Sequence, residues 1–191
     1  MASKPEAVIV TVQNRAALRA WLGSHHTNAQ SVWLASYKRH HPDYLAYPII
    51  VEELLCWGWI DGVTRAYDAD RSMILIAPRN PKSGWSAVNK AHVTRARASG
   101  AMTPAGEAKI ALALQNGMWD FLNDVDALIP PDDLRAALGD HIAGYDAYPK
   151  SVKRGTLEWI KSAKTAPTRA ARIADVARSA ALGLRPKPFR R

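Results

Sequence analysis

One loop of the chain, Pro78-Arg79-Asn80-Pro81-Lys82-Ser83-Gly84-Trp85-Ser86, gathers the residue types that hold an anion. Arg79 and Lys82 bring positive charge, Gly84 allows close backbone approach, and Ser86 is placed to cap a helix whose first N–H groups lack partners. The spacing is neither a Walker A loop nor the dinucleotide fingerprint, so a phosphate or carboxylate is implied and no nucleotide class. As a purely structural element the same loop is a connector, stiffened by two prolines and pinned by Trp85. A second candidate is Trp57-Gly58-Trp59-Ile60-Asp61-Gly62. Two tryptophans around a glycine make either an aromatic-walled pocket with Asp61 as acceptor at its rim, or a helix-to-strand corner whose tryptophans fill the core. Asp61-Gly62 is also an ordinary turn pair, and Asp61 could hold a neighbouring arginine.

Arg169 falls between Ile173 and Val176 in helical projection, on the apolar side, while Arg172 and Arg178 fall on the polar side. An arginine on a packing face needs a carboxylate or carbonyl. Asp61, Asp68 and Asp70 are the expected partners, in an ion pair tying the helical half to the sheet, with ligand contact as the alternative. The candidate ligand site therefore comprises Trp57, Trp59, Asp61, Arg71, Arg79, Lys82, Trp85, Asn89 and Arg169.

Charge supplies a different candidate. The formal net charge is +9, and all of the excess lies in residues 150–191, where twelve basic residues face only Glu158 and Asp175. From Ser151 a helical pattern puts Val152, Thr156, Trp159, Ile160 and Ala163 on one side and Lys153, Arg154, Lys161 and Lys164 on the next. With Arg172 these bases form a candidate surface for nucleic acid or anionic headgroups. The alternative is a solvated face on a helix packed into its own domain.

Other chemistries lack a pattern. His25-His26, His40-His41, His92 and His141 have no zinc-motif spacing, and no metal or cofactor is expected. Cys56, the single cysteine, sits in the most apolar helix and reads as a buried, inert thiol. No nucleophile elbow is visible. An enzyme acting on an acidic small molecule, with Asp61 as acid/base and Arg79 as charge clamp, stays open as a third reading.

The elements that position these residues follow from periodicity and caps. A strand is expected over Glu6–Val12 and a helix from the Asn14 cap to about Gly23. A second strand covers Ser31–Tyr37, a loop Lys38–Tyr47, and a buried helix Pro48–Cys56. Gly62–Tyr67 and Arg71–Ala77 read as a hairpin joined by Asp68-Ala69-Asp70. Helices then start at Ser86, Thr103-Pro104, Pro130-Pro131, Ser151 and Thr165, and Gly183 with Pro186 closes the last. The fold class is α+β: a small mixed or antiparallel sheet with packed helices in the N-terminal half, and a helical C-terminal half. The expected organisation is an α+β domain over 1–125, a helical subdomain over 126–184 and a flexible basic tail over 185–191. With 48% apolar residues, no membrane-length apolar run and no signal peptide at the N-terminus, a cytoplasmic location is expected.

Three stretches together resemble a known family. They are Glu52–Gly62, then Pro78–Ser86 continuing through Val88-Asn89 to Gly100-x-Met102-Thr103-Pro104-x-Gly106, and finally Trp159-Ile160-x-x-Ala163-Lys164 followed by Thr168-Arg169-x-x-Arg172-Ile173. In this order they resemble the YdeI/OmpD-associated, or bacteriocin-protection, family from the first strand to about Gly183. The resemblance implies a small bacterial cytoplasmic protein linked to envelope stress or antimicrobial-peptide resistance, and no catalytic residues or cofactor. Pro167 and Gly155 depart from the family pattern, where an acidic and a larger residue are usual.

Overall fold

The strand-forming runs of the first half pair into one mixed sheet. In a computed structural model describing residues 8–190, β1 (Ile9–Thr11), β2 (Val32–Tyr37), β3 (Trp59–Ala66) and β4 (Arg71–Pro78) take the order β1-β2-β4-β3. β1 and β2 are parallel, which requires the intervening helix α1 (Arg15–His25) as a crossover, whereas β2–β4 and β4–β3 are antiparallel. The α+β class is therefore observed. The first two residues of the predicted Glu6–Val12 strand lie outside the described residues. Asn14 caps α1 by accepting the Ala17 N–H at 2.9 Å, and the helix runs two residues past Gly23.

The chain divides into two compact units between Asp120 and Phe121. In the first, α2 (Tyr47–Cys56) is apolar on nearly every side and serves two clusters. Ile50 and Leu54 pack with Leu18 and Leu22 of α1, with Trp59 and with the sheet residues Leu34, Ile74 and Ile76. Val51 and Leu55 pack with Trp85, with Val93 of α3 (Ala87–Ala98) and with Ile110 of α4 (Pro104–Gln115). The predicted caps hold: Ser86 accepts the Asn89 N–H, and Thr103 accepts that of Gly106 while donating to Cys56 O at 2.5 Å.

β3 begins at Trp59, three residues before the expected Gly62. Asp61 pairs with Ile76 and Thr64 with Ile74, so Gly62 and Val63 together oppose Leu75 in a β-bulge. A Cβ on Gly62 would lie 3.3 Å from Leu75 O, which explains glycine there. The Asp68-Ala69-Asp70 connection is the expected hairpin turn, with Asp68 Oδ1 accepting the N–H groups of Asp70 and Arg71.

The second unit is helical: α5 (Asn123–Asp126), α6 (Asp132–Leu138), α7 (Ile142–Asp146), α8 (Lys150–Lys161) and α9 (Ala166–Ala181). Leu134, Leu138, Tyr145, Leu157, Ile160 and Val176 form its core. α5 places residues 123–125 in this unit, so the boundary falls before the expected 125/126. α8 starts at Lys150 behind Pro149, and Thr165 caps α9 as expected.

In place of a loose tail, residues 185–190 dock on the second unit. Lys187–Phe189 forms a 3-10 turn, the Lys187 N–H donates to Asp175 Oδ2 at 2.8 Å, and Arg190 Nη2 donates to Ser179 Oγ at 2.8 Å. Phe189 lies on Gly155, where a Cβ would sit 2.6 Å from the ring tip. The small residue at 155 is thus the seat of that ring.

Candidate functional site

The N-terminus of α2, the bulged start of β3 and the N-terminus of α3 surround a cleft of about 370 Å³. Its lining is Tyr47, Pro48 and Val51 from α2, Ile60 and Asp61 from β3, Ser86 at the cap, and Val88, Asn89 and His92 from α3. The bulge after Asp61 changes the register at the point where its carboxylate is presented, a recurrent use of bulges beside sites. The Tyr47 hydroxyl donates to Asp61 Oδ2. Burial and the neighbouring carboxylate push the Tyr47 phenol up to about 12, so it stays a donor at neutral pH.

Arg79 sits beside this cleft and does not line it. Its residue is 4% exposed, its guanidinium carbon lies 3.9 Å from the Trp85 ring centre, and Nη2 donates to Gly84 O at 2.6 Å. Nε is buried with no partner, and Arg79 forms no ion pair among the described residues. Burial pulls its pKa down to about 10, and the nearby Asp61 carboxylate offsets part of that. The expectation that Arg79 is presented outward by its loop is corrected: stacking on the buried Trp85 carries it inward. Lys82 is exposed, its N–H held by Asn80 Oδ1 at 2.9 Å.

Of the sequence candidates, Asp61 and Asn89 line the cleft and Arg79 with Trp85 stands beside it. Trp57, Trp59, Arg71 and Arg169 are elsewhere. Trp59 is fully buried, its Nε1 donating to His26 O at 3.0 Å. The core reading of this tryptophan is correct and the pocket-wall reading is not. Trp57 donates to Glu53 Oε1 at 3.2 Å and carries Arg19 over its ring. Arg71 is held on the hairpin by Asp68 Oδ2, with Nε at 2.8 Å and Nη2 at 2.6 Å. Arg169 does find the carboxylate its position demands, but that partner is Asp133, with Nε and Nη2 at 2.7 and 2.9 Å. The pair closes within the second unit and does not involve Asp61, Asp68 or Asp70.

Sequence reasoning misses Tyr47, the last residue of the expected Lys38–Tyr47 loop, His92, which has no motif spacing, and the Glu52-Glu53 pair. Glu53 is completely buried and accepts Arg15 Nε and Arg19 Nη1, both at 2.7 Å, plus Trp57. Glu52 accepts Arg15 at 3.2 Å and Arg95 at 3.1 Å, with His92 Nδ1 at 3.5 Å. The arginine bonds tie α1 and α3 to α2, and Arg95 in turn holds His92, its Nη2 lying 2.6 Å from His92 Nδ1. The i, i+3 spacing of Asn89 and His92 on one capped helix was the available signal.

The proposed basic surface is largely occupied by internal contacts. Arg154 bridges Asp126 and Glu158, both at 2.7 Å, and Lys161 meets Asp124 at 2.5 Å. Lys153 donates to Asp146 O at 2.8 Å, and Arg172 donates to Trp159 O and stacks on the Trp159 ring. Lys164 remains exposed. Cys56 is a buried free thiol whose pKa burial pushes up to about 11. No helix among the described residues is long and apolar enough to cross a membrane, and no described group of three or more His, Cys, Asp or Glu could hold a metal ion.

Residues 10–109, which contain the cleft and both tryptophan-rich motifs, match the family described as a domain of unknown function (DUF8412). Residues 127–183 match the family described as bacteriocin-protection, YdeI or OmpD-associated. That resemblance is therefore found in the helical unit, while the first two motifs fall under the other family. No curated protein and no solved structure matches the chain.

Proposed function

Because this chain belongs to the DUF8412 family and carries a bacteriocin-protection, YdeI or OmpD-associated domain, we propose that it is a cytoplasmic, non-catalytic protection protein whose cleft beside Asp61 binds a small anionic ligand. The observation carrying this reading is the charge on Arg79, buried with one carbonyl partner and an unpartnered Nε. A buried cation that forms no ion pair, and that Asp61 offsets only in part, keeps a positive field around itself, and the adjoining cleft is where an anion would feel it. The α3 N-terminus adds its dipole on the same wall. Tyr47, a potential nucleophile on the cleft wall, has its pKa pushed up to about 12 and stays protonated, which supports binding over covalent chemistry.

The test is thermal stabilisation by small carboxylates and phosphates, followed by peptide or bacteriocin challenge of cells carrying Asn89→Ala. Anions are expected to raise Tm, and the folded variant to lose both the shift and protection. Absence of any anion-dependent shift, or loss of protection only in variants that fail to fold, would overturn the reading.

A further inference from the structure

The cleft has two chemically opposite walls. On the β3 side Asp61 offers a carboxylate whose Oδ2 is taken by Tyr47 and whose Oδ1 has no protein partner. On the α3 side His92 is 4% exposed, and its Nδ1 lies 2.6 Å from Arg95 Nη2. A guanidinium only donates, so at 2.6 Å Nδ1 accepts from Arg95, with Glu52 Oε2 farther off at 3.5 Å, and the ring hydrogen lies on Nε2. Nε2 has no protein partner and belongs to a residue of the cleft wall. One turn earlier, the Asn89 side-chain amide is likewise unspent. Val51, Ile60 and Val88 supply apolar surface between these groups.

A simple anion satisfies the α3 donors but is repelled by Asp61. A simple amine satisfies Asp61 but leaves N–H donors facing a group that cannot accept. A molecule with both an acid and an ammonium matches both walls, and a hydrocarbon side chain suits the apolar remainder. We propose that the cleft binds a zwitterion of the apolar or aromatic α-amino-acid type, its carboxylate on His92 Nε2 and Asn89 and its ammonium on Asp61. This rests on the anion-binding reading of the same cleft and specifies its second charge.

The test is titration calorimetry of the full chain with L-phenylalanine and L-leucine, after a thermal-shift scan of the twenty amino acids. Each is compared with its deaminated acid (3-phenylpropanoate, 4-methylpentanoate) and decarboxylated amine (2-phenylethylamine, 3-methylbutylamine). The amino acid is expected to bind at least tenfold more tightly than either truncated compound. Asp61→Asn is expected to erase the advantage over the acid while leaving the acid's own affinity unchanged or improved. Acids binding as well as amino acids would overturn the zwitterion and leave the anion reading standing. Amines binding alone would overturn both. No response to any amino acid, or an undiminished preference in Asp61→Asn, would overturn the zwitterion.

Discussion

Arg79→Met separates a charge kept for binding from one kept for folding. Removing one member of a well-partnered buried ion pair costs about 3–5 kcal/mol, because the other charge is stranded. Arg79 has no such partner. Its depressed pKa, about 10, means that carrying the charge in the folded state already costs about 3 kcal/mol. Methionine recovers that cost and loses two things. One is the hydrogen bond to Gly84 O, of the charge-assisted kind that contributes about 1.5–3 kcal/mol. The other is the stack on Trp85, a desolvated cation–π contact of about 2 kcal/mol, of which a thioether restores about 0.3–1.5 kcal/mol. Gains and losses cancel to within about 2 kcal/mol, a small fraction of the usual 5–15 kcal/mol stability. The urea midpoint of Arg79→Met, followed by tryptophan fluorescence at unchanged m-value, is therefore expected to stay near that of the parent. Ligand-dependent stabilisation is expected to vanish. A loss of 3 kcal/mol or more would show that Arg79 is a compensated structural group and refute the argument that its field serves a ligand.

Gly106→Ala should be destabilising despite adding a better helix former. Its Cβ would meet Cys56 O and lie 2.7 Å from Leu55 O, both rigid backbone, so overpacking of about 1–3 kcal/mol outweighs a propensity gain of about 1 kcal/mol; a raised urea midpoint would refute this. The Arg169 guanidinium holds the Asp133 carboxyl below the usual carboxylate range, so its contribution is present above that range and is lost as pH falls through the lowered value. Asp133→Asn should thus weaken the protein by up to about 1 kcal/mol at pH 7, this being a partly exposed pair, with the difference shrinking towards pH 3; a difference independent of pH would refute it. Phe189→Ala and Gly155→Ala each disturb one contact, at about 1–2 kcal/mol for a half-buried ring. Unfolding of the double variant should cost less than the sum, and strict additivity would refute the docking of Phe189 on Gly155.

What was legible in the sequence acts locally. Asn14, Ser86, Thr103 and Thr165 each accept an N–H three residues ahead, so type and spacing suffice to place them. The hairpin at Asp68 and the all-round apolar α2 follow from the same short-range rules. α5 and α7, at four and five residues, are too short to show a period. The β3 bulge hid the strand start, because Asp61-Gly62 has turn composition and its pairing with β4 is decided across the sheet. Arg79 belongs to a loop rich in Pro, Lys, Asn and Ser, and only its tertiary stack on Trp85 takes it inside. Helical projection correctly assigned Arg169 a carboxylate and could not say which, since Asp133 is 36 residues away in the chain.

The same limit governs the basic C-terminal segment and the nucleic-acid reading built on it. Along the chain, residues 150–191 look strongly unbalanced, but folding does not preserve that order. Residues 121–149 carry six aspartates against Arg135 alone, and three of them are returned to the basic helices: Asp124 to Lys161, Asp126 to Arg154 and Asp133 to Arg169. A phosphate backbone approaching these three bases would have to displace those carboxylates before gaining a contact there. The affinity and salt dependence of polyanion binding scale with the phosphates neutralised, not with formal charge. Lys164 stays exposed, whereas in the first unit Arg79 carries a buried charge that forms no ion pair among the described residues and that Asp61 offsets only in part. Arg79 is also the buried cation that stands beside a cleft, and the proposed ligand chemistry rests on the first unit for that reason.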